Sequence, residues 1–166
     1  MTAEPFFKNI EEQYNNAMPF VVYCKPNSVE IKAVLQKDDT LYKVKDYSES
    51  GFVFTPFDIR KDAIIMPYSK SSTLSIDEHV YLNEDSKSSE VFVENDKEAF
   101  VDLVGKGLTK IEEGVFNKVV LSRKEKVQLG EVDPIHYFKV LLNSYNKALV
   151  YCWYHPSVGL WLGATP

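Results

Sequence analysis

The chain has 166 residues, 45% hydrophobic and 26% charged, the make-up of a globular protein long enough to bury a core. Its net charge is −5, with Lys and Arg scattered, so no basic stripe points to nucleic acid. No apolar run approaches the roughly 18–20 residues that span a bilayer. The opening MTAEPFFKNIEEQY has no secretory pattern, so a cytoplasmic protein without a membrane partner is expected.

Phe6, Phe7, Ile10, Tyr14 and Met18 share one side at helical spacing, and Pro19 ends that run. Short extended runs follow: PFVVYC, VEIKAVLQ, TLYKV, GFVFTPF and AIIMPY. They are rich in Val, Ile, Phe and Tyr and are separated by turn formers. Connections this short favour antiparallel pairing. Residues 1–68 thus read as a helix plus antiparallel strands. Residues 69–96 shift to Ser, Lys, Asp and Glu and read as a polar connector, with one weak strand near residues 90–93.

The clearest helix lies in NDKEAFVDLVGKGLTKIEEG, where Phe100, Leu103, Val104, Gly107, Leu108 and Ile111 form one stripe. Asn95 and Glu98 can cap its start, and Gly114 stands where a C′ glycine belongs. Gly107 on the apolar face would let a sheet come close. A strand is predicted over residues 117–129. Lys118, Val120 and Ser122 fall on one face of it, with Val119, Leu121 and Arg123 on the other. Asp133-Pro134 then forms an N-cap and N1 pair for a second helix carrying Ile135, Phe138, Leu141, Leu142 and Tyr145. ALVYCWYH, the turn HPSVG and LWLGATP read as a hairpin. Residues 97–166 are therefore a helix-strand-helix-hairpin segment, and the class is α+β, a mostly antiparallel sheet with packed helices in one incomplete domain.

Candidate functional groups are few. Cys24 and Cys152 sit in apolar runs and read as reduced, buried thiols. His79, His136 and His155 have neither metal nor catalytic spacing and read as surface or capping residues. Asp38-Asp39 and Glu84-Asp85 read as solvated loops, and Trp153 and Trp161 as core. Lys118 poses the functional question. On strand chemistry it is an exposed charge at a strand entrance, since lysine is almost never fully buried. As a general base it would need its ammonium desolvated or placed beside a cation.

The neighbours of Lys118 add to this. NKVVLSR, preceded by FVDLVGKGLTKIEEG and followed by GLWLGATP, resembles the chorismate-binding enzymes, and within them the isochorismate synthase branch. GFVFTPF is similar to a run in the menaquinone-type members. The resemblance runs from about Gly51 to the end of the chain, with residues 1–50 matching loosely. It implies the N-terminal half of a chorismate-utilising α/β sandwich of the anthranilate and isochorismate synthase kind. It also implies that Lys118 activates water for attack at C2 of chorismate while the C4 hydroxyl leaves. Anthranilate synthases usually carry glutamine here and use ammonia, so lysine favours the water-using branch, which includes the salicylate synthases. Gly163, Ala164 and Thr165 would approach the substrate pocket. Ser122 and Arg123 belong to the motif, Arg123 as an ion-pair partner.

The same resemblance implies that the general-acid glutamate follows the GATP run directly, beyond Pro166. The Mg²⁺-binding glutamates and the groups that clamp the substrate carboxylates are expected beyond it too. The chain alone is then expected to be inactive, to bind no Mg²⁺, and to self-associate through the face its other half would cover. A salicylate or anthranilate synthase-type portion remains an alternative, as does a non-catalytic binding or assembly module. Whether the pathway is menaquinone, siderophore or salicylate stays open.

Overall fold

A computed structural model describes residues 2–77, 97–124 and 132–165. The chain divides into two compact units, Met1–Lys87 with Asp133–Pro166, and Ser88–Val132. Among the described residues no helix is long and apolar enough to cross a membrane.

The first unit is organised around β1 (Phe20–Cys24), whose five residues are all buried. A strand buried in this way needs pairing on both edges, because an unpaired backbone amide away from water is costly. It pairs antiparallel with β2 (Glu30–Gln36) on one side and β6 (Leu149–His155) on the other. β5 (Ser71–Asp77) extends the sheet beyond β2, and β7 (Gly159–Thr165) extends it beyond β6. The order is β5-β2-β1-β6-β7, antiparallel throughout.

Alternation along β1 sends Phe20, Val22 and Cys24 to one face and Val21 and Tyr23 to the other. The first face is covered by α1 (Ala3–Asn15), through Phe6, Phe7 and Ile10, and by α3 (Pro134–Ser144), through Ile135, Phe138 and Leu142. The start of α3 is the one the sequence predicts. Asp133 Oδ1 accepts from the backbone N–H of Ile135 at 2.9 Å and of His136 at 3.0 Å, with Pro134 in the first turn. At the other end of α1, the Gln13 amide donates to the carbonyls of Pro19 at 3.1 Å and Gln36 at 2.6 Å, fastening the helix to the sheet.

The second face is covered by a two-stranded antiparallel sheet, β3 (Gly51–Phe54) and β4 (Ile64–Pro67). Phe54 stacks on Trp153 with centroids 4.5 Å apart and planes at 12°, and Phe52 lies 5.2 Å from Tyr23. Gly51 permits the pairing, since a Cβ there would run into the Met66 carbonyl. Cys24 and Cys152 are free, buried thiols on the helix side, and burial pushes Cys152 up to about 12.

Several elements differ from expectation. TLYKV makes one isolated bridge, Lys43 to Ile64, instead of a strand. Asp38 turns the chain there, accepting from Thr40 N–H at 3.1 Å and from the Tyr42 hydroxyl at 3.0 Å, so it is a hydrogen-bonded turn. β5 forms inside the polar run after residue 69 because an edge strand takes its order from the β2 ladder and needs little apolar surface. Trp161 on edge strand β7 is half-exposed, while Trp153 is core. The weak strand near residues 90–93, the Asn95 cap, His79 and Glu84-Asp85 lie outside the described residues.

His155 is not on the surface, being buried at 1% exposure, although it does cap the turn that follows it. It ends β6, where the Thr40 turn comes near, and its Nδ1 accepts from Ser157 N–H at 3.1 Å. Nε2 then carries the ring proton and has no hydrogen-bond partner within bonding geometry. Burial holds the His155 pKa below its ordinary value, opposed in part by the Thr40 backbone and the Asp39 charge. The unfolded chain therefore binds more protons below about pH 6.5, and stability is full above that value and falls as pH drops. The urea midpoint is expected to decline between about pH 7.5 and pH 5, and His155→Gln to flatten the decline. Equal slopes in the two proteins would show that another group is responsible.

Candidate active site

The second unit carries the lysine motif. α2 (Lys97–Glu112) ends as the sequence predicts, in a Schellman turn: Gly114 has φ 74°, its N–H bonds Ile111 O, and Val115 N–H bonds Lys110 O. The chain then enters residues 117–124. The predicted strand over residues 117–129 is not formed in its described part, residues 117–124, and residues 125–131 lie outside the described residues. A strand exists only through a partner edge, and none pairs with residues 117–124 among the described residues.

The predicted alternation nevertheless holds in part. Val119 and Leu121 are half-buried, while Lys118, Val120 and Ser122 are exposed, Val120 to 83%. The inward pair sits over Gly107 of α2, where a Cβ would lie 3.3 Å from Val119 Cγ1 and from Leu121 Cδ1. Gly107 thus admits this segment, not a sheet as the sequence reading had it. Lys118 stands on the open side.

Gly163, Ala164 and Thr165 belong to the first unit, on β7. Ala164 packs toward the helix-side core. Gly163 faces the other way, opposite Tyr151 in the β6 ladder. A Cβ on Gly163 would lie 2.8 Å from the Tyr151 Cε1 and hydroxyl oxygen, so the ring occupies the space the glycine leaves. Its small size is used here by a neighbouring side chain. Thr165 is exposed at the end of the edge strand.

Lys118 and Gly163–Thr165 therefore lie in different units. Ser122 and Arg123 accompany Lys118 and are exposed. His136 is exposed in the first turn of α3, its ring edge-on to Tyr137 at 5.5 Å. Among the described residues no three His, Cys, Asp or Glu side chains come together to hold a metal. The described residues thus hold no such cluster for the Mg²⁺ that the motif resemblance implies.

A row of side chains escaped the sequence reading. Ladder register aligns Gly163, Tyr151, Tyr23, Lys32 and Ser75 across all five strands. Alternation of faces hints at each residue separately, but only register puts them in line.

With this geometry in place, the comparisons give a family. A family model described as chorismate binding enzyme matches residues 57–166, which is most of the chain. The chain belongs to the chorismate-binding enzyme family, a family of chorismate-utilising enzymes. No curated protein and no solved structure matches it. The matched segment begins after β3 and includes α2, the lysine motif and the hairpin of β6 and β7.

Gly163→Ala tests the close contact on β7. It is expected to cost about 1–2 kcal/mol, since the Tyr151 ring must swing aside. In a Tyr151→Leu background the cost should largely vanish. Additive losses in the denaturation curves of the double variant would mean that the glycine serves something other than Tyr151.

Proposed function

We propose that this chain is the N-terminal portion of an isochorismate synthase, and that Lys118 is its water-activating base. The observation that carries the reading is the lysine at the head of NKVVLSR within the family-matched segment. The Lys118 amine takes a proton from water as the water oxygen bonds to C2 of chorismate. The ring double bonds shift, and the C4 hydroxyl leaves once a general acid has protonated it. That acid is expected outside the described residues, and both groups must act on one bound substrate.

Exposure of Lys118 bears on how such a site would work. A lysine base works best in a dry setting, which another surface closing over Lys118 would supply. α2 supports this reading from the packing side. It carries an apolar stripe yet buries no residue, leaving Val101, Leu103 and Leu108 exposed, together with Val115, Phe116 and Val120 after it. Further protein packed on this unit, either the remainder of the synthase or a second copy, would bury these groups and dry the amine.

The test is conversion of chorismate to isochorismate by the full reading frame that contains this segment, with Mg²⁺ present. Lys118→Ala is expected to lower kcat by about 10²–10⁴ with an unchanged circular dichroism spectrum. A variant that keeps full activity removes Lys118 from the role. Formation of salicylate or anthranilate by the parent protein would instead assign the chain to a different branch of the family.

A further inference from the structure

Gly105 and Gly107 both lie inside α2, where glycine weakens a helix relative to alanine. Their surroundings differ. Gly105 is exposed, and a Cβ on it would meet nothing within 4 Å. A Cβ on Gly107 would lie 3.3 Å from both Val119 Cγ1 and Leu121 Cδ1, so these two side chains rest against the bare backbone of the helix. Of the two glycines, Gly107 alone has a steric reason to lack a side chain. Both belong to the second unit, as does the lysine motif.

The turn after α2 delivers the chain to this seat. Gly114 reverses its direction, and the N–H groups of Val115 and Phe116 bond the Lys110 carbonyl at 3.0 Å and 3.3 Å. Beyond that point no strand pairs with residues 117–124 among the described residues, so no ladder sets their place. Val119 and Leu121, half-buried on Gly107, hold the segment, while Lys118 and Ser122 on either side are exposed. Lys118 adjoins Val119, so its Cα is about 3.8 Å from that of an anchored residue. Lifting Val119 lifts the root of the lysine.

We propose that Gly107 is a positioning residue for Lys118: by leaving its part of α2 bare it seats Val119 and Leu121, and so fixes where the Lys118 amine stands. The inference rests on the reading of Lys118 as the base. Carbon atoms pack best at about 3.5–4.0 Å, so a methyl group on Gly107 displaces the segment by about 0.2–0.7 Å. A misplacement of about 1 Å can cost a catalytic group about 10²-fold in rate, and this smaller one is expected to cost about threefold to tenfold.

The experiment compares Gly107→Ala with Gly105→Ala, in the full reading frame with chorismate and Mg²⁺ and, by ¹H–¹⁵N spectra, in the 166-residue protein. Both substitutions favour the helix, so an effect on α2 alone would treat them alike. Gly107→Ala is expected to lower kcat about threefold to tenfold with KM unchanged, and to shift the amides of residues 118–121. Gly105→Ala should leave kcat and those amides as they are. Adding Val119→Ala and Leu121→Val to Gly107→Ala removes both methyl groups in the way and should bring kcat to within about twofold of the parent. Equal kcat in the two alanine variants, or no recovery in the triple variant, would overturn the positioning role. Full activity in Lys118→Ala would overturn the reading of the lysine itself. An inactive Lys118→Ala beside a fully active Gly107→Ala would sink the seat alone, so the two fail separately.

Discussion

The fold depends on the double burial of β1. Its five residues are all buried and leave no unpaired edge, because β2 and β6 occupy both edges, the helices one face and the β3–β4 hairpin much of the other. Each large side chain on this strand is worth about 1.5–3 kcal/mol in burial, so the strand contributes several such units at once. This bears on the family relationship. The matched segment starts at residue 57 and so leaves out α1, β1, β2 and β3. Within the sheet, its strands β5 and β6 are joined only through β2 and β1. The poorly matching N-terminal residues are therefore the middle of the sheet that carries the GATP strand, not an appendage to it.

The two faces of that sheet are built differently. The helix side is a plain apolar core, whereas the hairpin side mixes aromatic stacking with buried polar atoms. Gln36 Oε1, Trp153 Nε1 and His155 Nε2 are all buried without a hydrogen-bond partner. Such atoms cost roughly 1–3 kcal/mol each, so this layer is the one where stability is spent. A polar cleft over β2 and β5 and the Gly163–Tyr151 contact occur on the same face.

What was legible in the sequence follows from how local each cause is. Asp133-Pro134 and Gly114 act within one turn of their own helices, so their roles could be read from spacing alone. The inward and outward sides of Val119, Leu121, Lys118 and Val120 were legible for the same reason. Whether that segment is a strand was not, since this depends on an edge contributed from elsewhere. β5 was hidden because its Ser and Thr side chains say little and its order comes from β2. The burial of His155 depends on the Thr40 turn, and the row from Gly163 to Ser75 on registers that no single segment encodes. The family motif gave Lys118 a chemical role; the structure gives it an exposed position that another surface has to complete.

The place of β1 also sets a timetable. During synthesis Val22 emerges 130 residues (152 − 22) ahead of its partner Cys152. At about 5–20 residues per second, the β1–β2 ribbon waits roughly 6–23 seconds with one edge of β1 unpaired. β1–β2 and β2–β5 can pair sooner, but the second edge of β1 must wait for β6. The nascent protein thus carries its fully buried strand half-paired throughout that interval, a period in which a holdase chaperone would have the greatest effect on yield.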